Sequence, residues 1–87
     1  MTRNPLRDLL SRILHDPTLR KADYEVIYLS RGSTEGREYI NCSLLIRVTR
    51  DFFIYKDDKG VVRSIPLHRV ISVIDKRKDV VLYLNPK

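Results

Sequence analysis

The spacing of the apolar residues changes once along this chain, from a helical repeat to a repeat of two. Near the start, five apolar residues fall at i, i+3, i+4, i+7 and i+8: Leu6, Leu9, Leu10, Ile13 and Leu14. This stripe predicts an amphipathic helix over residues 4–15. Asn4 suits the N-cap, and Pro5 suits the first helical position, because its missing N–H costs nothing there. Asp16-Pro17 predicts the end of the helix, since the residue before proline is disfavoured in the α region.

From Tyr24 onward the alternation predicts short strands. We place them at residues 24–29, within 37–49, and at 52–56, 61–65, 70–75 and 80–84. Residues 57–60 form a hairpin loop that ends in glycine, and Pro66 interrupts a strand to create a corner. Connections this short favour antiparallel neighbours. The predicted fold is therefore α+β, with an N-terminal helix packed on a strongly bent antiparallel sheet or small barrel of five to six short strands.

The charge balance points to a polyanionic partner. Seventeen Lys and Arg against eleven Asp and Glu give a net charge of +6, which suits RNA and equally an acidic protein. We expect a single domain over residues 1–87, because no linker or composition shift divides the chain. No apolar run reaches the roughly 20 residues of a membrane span, so no membrane partner is expected. The single cysteine cannot form an internal disulfide, which predicts a cytoplasmic location. Oligomeric state is left open.

Few residues support metal or cofactor chemistry. His15, His68 and Cys42 do not have the spacing of a zinc site, and the three glycines fit no phosphate-cradling loop. Cys42 lies in an apolar stretch and is expected to be a small buried side chain rather than a nucleophile. We therefore expect no metal and no cofactor, and the residues favour a binding module over an enzyme.

Two corners of the predicted fold carry cations that suit phosphate. Arg31 and Gly32 follow the first strand, and His68 and Arg69 follow Pro66. The planar guanidinium fork matches two phosphate oxygens, and an adjacent imidazole can donate to a third. Lys56 and Arg63 supply further positive charge. These six residues form the predicted RNA- or phosphate-binding set, on the expectation that the fold brings positions 31, 68 and 69 around one water-accessible hollow.

Several motifs in this order resemble one known family, the small, mostly archaeal RNA cyclic group end recognition domains. The resemblance covers nearly the whole chain and rests on five segments: Leu10-Ser11-Arg12-Ile13-Leu14, Tyr24-Glu25-Val26-Ile27-Tyr28, Arg31-Gly32, Phe52-Phe53-Ile54 and Ile65-Pro66-Leu67-His68-Arg69-Val70. It implies a non-catalytic module that recognises RNA ends with a 2′,3′-cyclic phosphate, alongside RNA repair or processing enzymes. The contacts that it implies are Arg31, His68 and Arg69.

Two other functions remain open from the residues alone. One is a phosphodiesterase acting on RNA ends, with His68 as general acid or base. The other is an adaptor whose basic surface docks an acidic protein. The strand tyrosines also have two possible uses: Tyr24, Tyr28, Tyr39 and Tyr55 could stack unpaired bases or pack in the core.

Overall fold

The computed structural model describes residues 4–32 and 34–85, and it begins with the predicted helix. Helix α1 spans Pro5–His15, and the Asn4 side-chain oxygen accepts the N–H groups of Leu6 and Arg7 at 3.1 Å each. At the other end, the N–H of Asp16 donates to the Arg12 carbonyl at 2.8 Å. Both predicted caps are confirmed. No helix within the described ranges is long and apolar enough to cross a bilayer.

Seven strands follow the helix in the described part of the chain and form two antiparallel sheets. Their bounds are β1 Tyr24–Leu29, β2 Arg37–Asn41, β3 Leu45–Val48, β4 Phe52–Lys56, β5 Val62–Pro66, β6 Val70–Asp75 and β7 Val80–Leu84. The first sheet has the order β2-β1-β6-β7 and the second β3-β4-β5. The α+β class with an N-terminal helix is confirmed. The strands number seven rather than five to six, and the two sheets do not close into a barrel.

Two short 3₁₀ turns move the chain from one sheet to the other. Cys42–Leu44 joins β2 to β3, and Leu67–Arg69 joins β5 to β6. The prediction of one strand within residues 37–49 was wrong, because the first of these turns divides it. The side-chain oxygen of Asn41 begins that turn by accepting the Ser43 N–H at 2.9 Å. In both turns the first residue is buried and the second is exposed.

Pro66 sits differently from the prediction. It is the last residue of β5, opposite Phe52, rather than a break in a strand. β5 is an edge strand of its sheet, and an edge position tolerates a residue without an N–H. The corner itself is the turn that follows. The position of His68 and Arg69 at a corner is nevertheless confirmed.

The core lies between the helix and the inner faces of both sheets, and aromatic rings fill its middle. Phe53 is fully buried, with its ring centroid 5.8 Å from that of Tyr28 and 6.1 Å from that of Tyr55. Tyr28 and Tyr55 are therefore core residues, whereas Tyr39 is 50% exposed. Cys42 is buried as predicted, and burial raises the pKa of its thiol to about 12. The thiolate form needed by a nucleophile is strongly disfavoured there.

Candidate phosphate-binding site

The connection between β1 and β2 places Arg31 beside the end of the first sheet. The Ser30 N–H donates to the Gly36 carbonyl at 3.0 Å, which closes the loop over residues 30–36. Gly36 has a φ of +77°, a conformation that side chains with a Cβ rarely adopt. An added Cβ at Gly32 would meet no atom within 4 Å, and Gly32 does not have a positive φ. The glycine that shapes this loop is therefore Gly36.

This difference gives a stability prediction. We expect Gly36→Ala to lower the free energy of unfolding by about 1–2 kcal/mol, because alanine is strained at positive φ. Gly32→Ala is the matched control and should change it by less than about 0.5 kcal/mol. Urea denaturation followed by circular dichroism measures both. An equal loss in the two variants would show that the loop does not depend on the conformation at position 36.

The Leu67–Arg69 turn presents the second pair of candidate residues. Leu67 is buried, and its N–H donates to the Asp51 carbonyl at 2.9 Å. This anchoring directs His68 outward, where it is exposed, and leaves Arg69 partly buried. The imidazole at position 68 is therefore accessible to a ligand and is not part of the core.

The two corners meet at one open cavity of about 500 Å³. Its lining residues in the described chain are Leu29, Ser30, Arg31, Gly36, His68 and Arg69. None of these residues carries a carboxylate, so the positive charges of Arg31 and Arg69 share the cavity with no negative side chain in its lining. Among residues 4–32 and 34–85, the side chains of Arg31, His68 and Arg69 form no hydrogen bond or ion pair. The cavity thus offers unpaired donors to an anion.

The other residues of the predicted set are dispersed. Arg63 lines a neighbouring cavity of about 350 Å³, which it shares with Arg69, and another of about 550 Å³, which Gly32 also lines. Lys56 is exposed on β4 and lines none of these three cavities. The structure thus brings Arg31, His68 and Arg69 together, with Arg63 on the adjoining cavities. It leaves Lys56 outside this group. No cluster of three or more potential metal ligands occurs in the described ranges.

Arg63 is held in place by the β4–β5 hairpin loop. Its Nε lies 2.9 Å from Oδ2 of Asp57, and this hydrogen bond raises the pKa of the guanidinium. Asp57 also accepts the N–H groups of Lys59 and Val61 at 2.9 Å each. The hydrogen bond from the Val61 N–H is the largest cause of the lowered pKa of Asp57, and the hydrogen bond from Arg63 is the next. The predicted hairpin loop is confirmed, and its aspartate also orients a cation.

Sequence reasoning missed a polar group next to the cavity. The Tyr28 hydroxyl lies 3.0 Å from Oε2 of Glu38 and 2.8 Å from the Tyr55 hydroxyl. Burial, followed by these hydrogen bonds, raises the pKa of Tyr28 well above its usual value, so the phenol stays neutral. Glu38 occupies the same face of β2 as the buried Ile40, where an apolar residue would be usual. Glu38 is itself exposed at the end of that face, and its spacing of two from Ile40 was the available signal.

Comparison with known proteins identifies the family. The profile of the MJ1316 RNA cyclic group end recognition domain matches residues 3–83. The chain belongs to this family. Within it, the UPF0248 protein MJ1316 of Methanocaldococcus jannaschii is 30% identical over 78 residues, 90% of each chain. A UPF0248 protein of Methanococcus maripaludis is 26% identical over 78 residues, which cover 90% of this chain and 95% of the relative. No solved structure matches the chain.

Family membership confirms the resemblance inferred from the motifs. The family's description names recognition of RNA ends that carry a cyclic group, which is consistent with an RNA-binding module. The matched region contains both corners of the cavity and the polar group around Glu38.

Proposed function

We propose that this protein is a non-catalytic RNA-binding module whose cavity holds the terminal 2′,3′-cyclic phosphate of an RNA strand. The observation that carries the proposal is the convergence of Arg31, His68 and Arg69 on one open cavity, without intramolecular partners in the described chain. Unpaired arginines that share a concave surface are suited to a phosphate, because the guanidinium fork donates to two oxygens at once. The family's description supports the same kind of ligand.

The lining of the cavity suits a cyclic phosphate better than a linear one. A cyclic phosphodiester carries a single charge on two non-bridging oxygens, and its ring presents an apolar edge. Leu29 is 54% exposed and lies in the same lining, where it would contact that ring and the ribose. A linear terminal phosphate carries up to two charges, and placing it against Leu29 costs more desolvation. In this arrangement Arg31 and Arg69 bind the oxygens and His68 donates a further hydrogen bond.

Binding of short RNAs with different 3′ ends tests the proposal. We expect fluorescence anisotropy to show tighter binding of a cyclic end than of a linear phosphate or hydroxyl end. Arg69→Gln should weaken binding of the cyclic end by about tenfold to a hundredfold, since hydrogen bonds to charged groups contribute about 1.5–3 kcal/mol. Arg20→Gln removes the same charge from an exposed position that lines none of these cavities, and it should bind nearly as the parent does.

Other outcomes separate the alternatives. Equal affinity for all three ends would eliminate end recognition. Conversion of the cyclic end to a linear phosphate, lost in His68→Asn, would instead establish a phosphodiesterase. Absence of RNA binding at low salt, with one acidic protein co-purifying, would favour an adaptor.

With about three phosphate contacts, log affinity should fall with log salt at a slope of about −2. Such a module would act beside RNA repair or processing enzymes.

A further inference from the structure

A layer of polar residues lies at the rim of the core next to the phosphate cavity, on the strand faces that carry core residues further along. Tyr28 lies directly opposite Glu38 in the first sheet, and Tyr55 lies directly opposite Arg63 in the second. Two residues further along their strands, Ile40 is buried and Ile65 packs against the core. The apolar core therefore gives way at this layer to two phenols, a carboxylate and a guanidinium. Glu38 and Arg63 are both exposed, so a ligand can reach their charged groups at this layer.

The donor and the acceptor of each hydrogen bond in this layer follow from the carboxylate of Glu38. An ionised carboxylate can only accept, so the Tyr28 hydroxyl donates its single proton to Glu38. The contact between the two phenols must then run from Tyr55 to Tyr28. Two neutral phenols thus fix the position of the carboxylate. Glu38 accepts this one hydrogen bond and has no ion pair within the described chain, so Oε1 and the second lone pair of Oε2 both remain available.

Arg63 lies on the second sheet and, among the described residues, forms no ion pair with the Glu38 carboxylate. Both residues line the cavities of about 550 Å³ and 350 Å³, but the ion-pair partner of Arg63 is Asp57. Because Arg63 donates to Asp57 through Nε, its two terminal nitrogens remain free to donate to a ligand. The space that both residues line therefore has the acceptor oxygens of Glu38 and the donor nitrogens of Arg63. It adjoins the phosphate cavity, because Ser30 and Arg69 line both.

From this geometry we infer a guanine-binding subsite for the terminal nucleotide, a conclusion that rests on the proposed function. Guanine presents two adjacent donors, N1–H and N2–H₂, which match the two oxygens of a carboxylate. Its O6 and N7 are the acceptors that an arginine binds with two hydrogen bonds. Adenine and cytosine place a ring-nitrogen acceptor beside their amino group, and uracil flanks its single N–H with two carbonyls. Each of these three bases would place an acceptor against an oxygen of Glu38, where guanine places a donor. Tyr28 is a positioning residue, because it acts through Glu38.

Binding of the four 2′,3′-cyclic nucleoside monophosphates measures the subsite directly. We expect isothermal titration calorimetry to give about tenfold tighter binding of the guanosine compound than of the other three, in line with the discrimination of one bidentate contact. Glu38→Gln should remove this preference, because the amide replaces one acceptor with a donor. The variant should still prefer a cyclic end to a hydroxyl end. Tyr28→Phe should reduce the guanine preference several-fold while the end preference persists.

A control and a second variant keep the result interpretable. Asp79→Asn also removes one negative charge, at a turn residue with a φ of 56° that asparagine tolerates, and it should retain the guanine preference. Arg63→Gln should lose that preference too, which provides a test if Glu38→Gln does not fold. Equal affinity for the four nucleotides, with cyclic ends still preferred, would overturn the guanine subsite alone. Loss of the preference for cyclic ends in the parent protein would overturn the proposed function, and the subsite with it.

Discussion

Phe53→Ala is expected to lower the free energy of unfolding by about 3–5 kcal/mol, the range found when a buried phenylalanine is truncated. Phe53 is fully buried and its ring contacts both Tyr28 and Tyr55. Removing it leaves a cavity beneath the polar layer that borders the proposed binding site. For a chain of 87 residues this loss is a large part of the total stability, because small domains have only a modest core.

The neighbouring phenylalanine is the natural control for this experiment. Phe52 precedes Phe53 on β4 and points to the opposite face, where it is 41% exposed. We expect Phe52→Ala to cost about 1 kcal/mol or less, since less apolar surface returns to water. Urea denaturation monitored by circular dichroism gives both values. Equal destabilisation of the two variants would contradict the assignment of the inner face of β4.

A second large effect is expected at alkaline pH. Burial raises the pKa of Cys42 to about 12 in the folded protein, whereas an unfolded cysteine titrates near about 8.5. Above that lower value the unfolded chain loses a proton that the folded chain keeps, so stability falls as pH rises. For one such group the loss is about 2 kcal/mol between about pH 8.5 and about pH 10.5. Tyr28, whose pKa is also raised by burial, adds to the loss above about pH 10.

Cys42→Ala isolates the contribution of the thiol. This variant should be somewhat less stable at pH 7, because it loses buried volume, but its stability should decline less steeply between about pH 8.5 and about pH 10.5. Chemical denaturation at a series of pH values provides the comparison. Parallel pH profiles for the parent and the variant would show that the thiol ionises in the folded protein as readily as in the unfolded chain.

The parts of the fold predicted correctly depend on local interactions. The Asn4 cap, the end of the helix at Asp16 and the glycine-containing hairpin loop each involve residues within a few positions of one another. Such contacts are encoded in short segments, so the sequence pattern is sufficient to find them. The two corners with their arginines were found in the same way, because turns interrupt the alternation of the strands.

The parts that were missed depend on pairing between distant segments. The turn at Cys42–Leu44 was read as strand because its apolar residues continue the pattern, although the chain changes sheets there. Glu38 was overlooked because its significance comes from Tyr28 and Tyr55, which lie 10 and 17 positions away. Lys56 was included on charge alone, and the fold leaves it outside the cavities.

The amino-acid sequence alone determined the helix, most of the strands, the basic character and the family to which the motifs point. Only the tertiary structure decided that Arg31 and Arg69, separated by 38 positions in the chain, line one cavity. It also decided that His68 is exposed and that Glu38 and Arg63 line the same two cavities. The physical reason is that periodicity fixes which side of a strand a residue occupies. Which strands become neighbours is set by burial of the common core, and this depends on the whole chain at once.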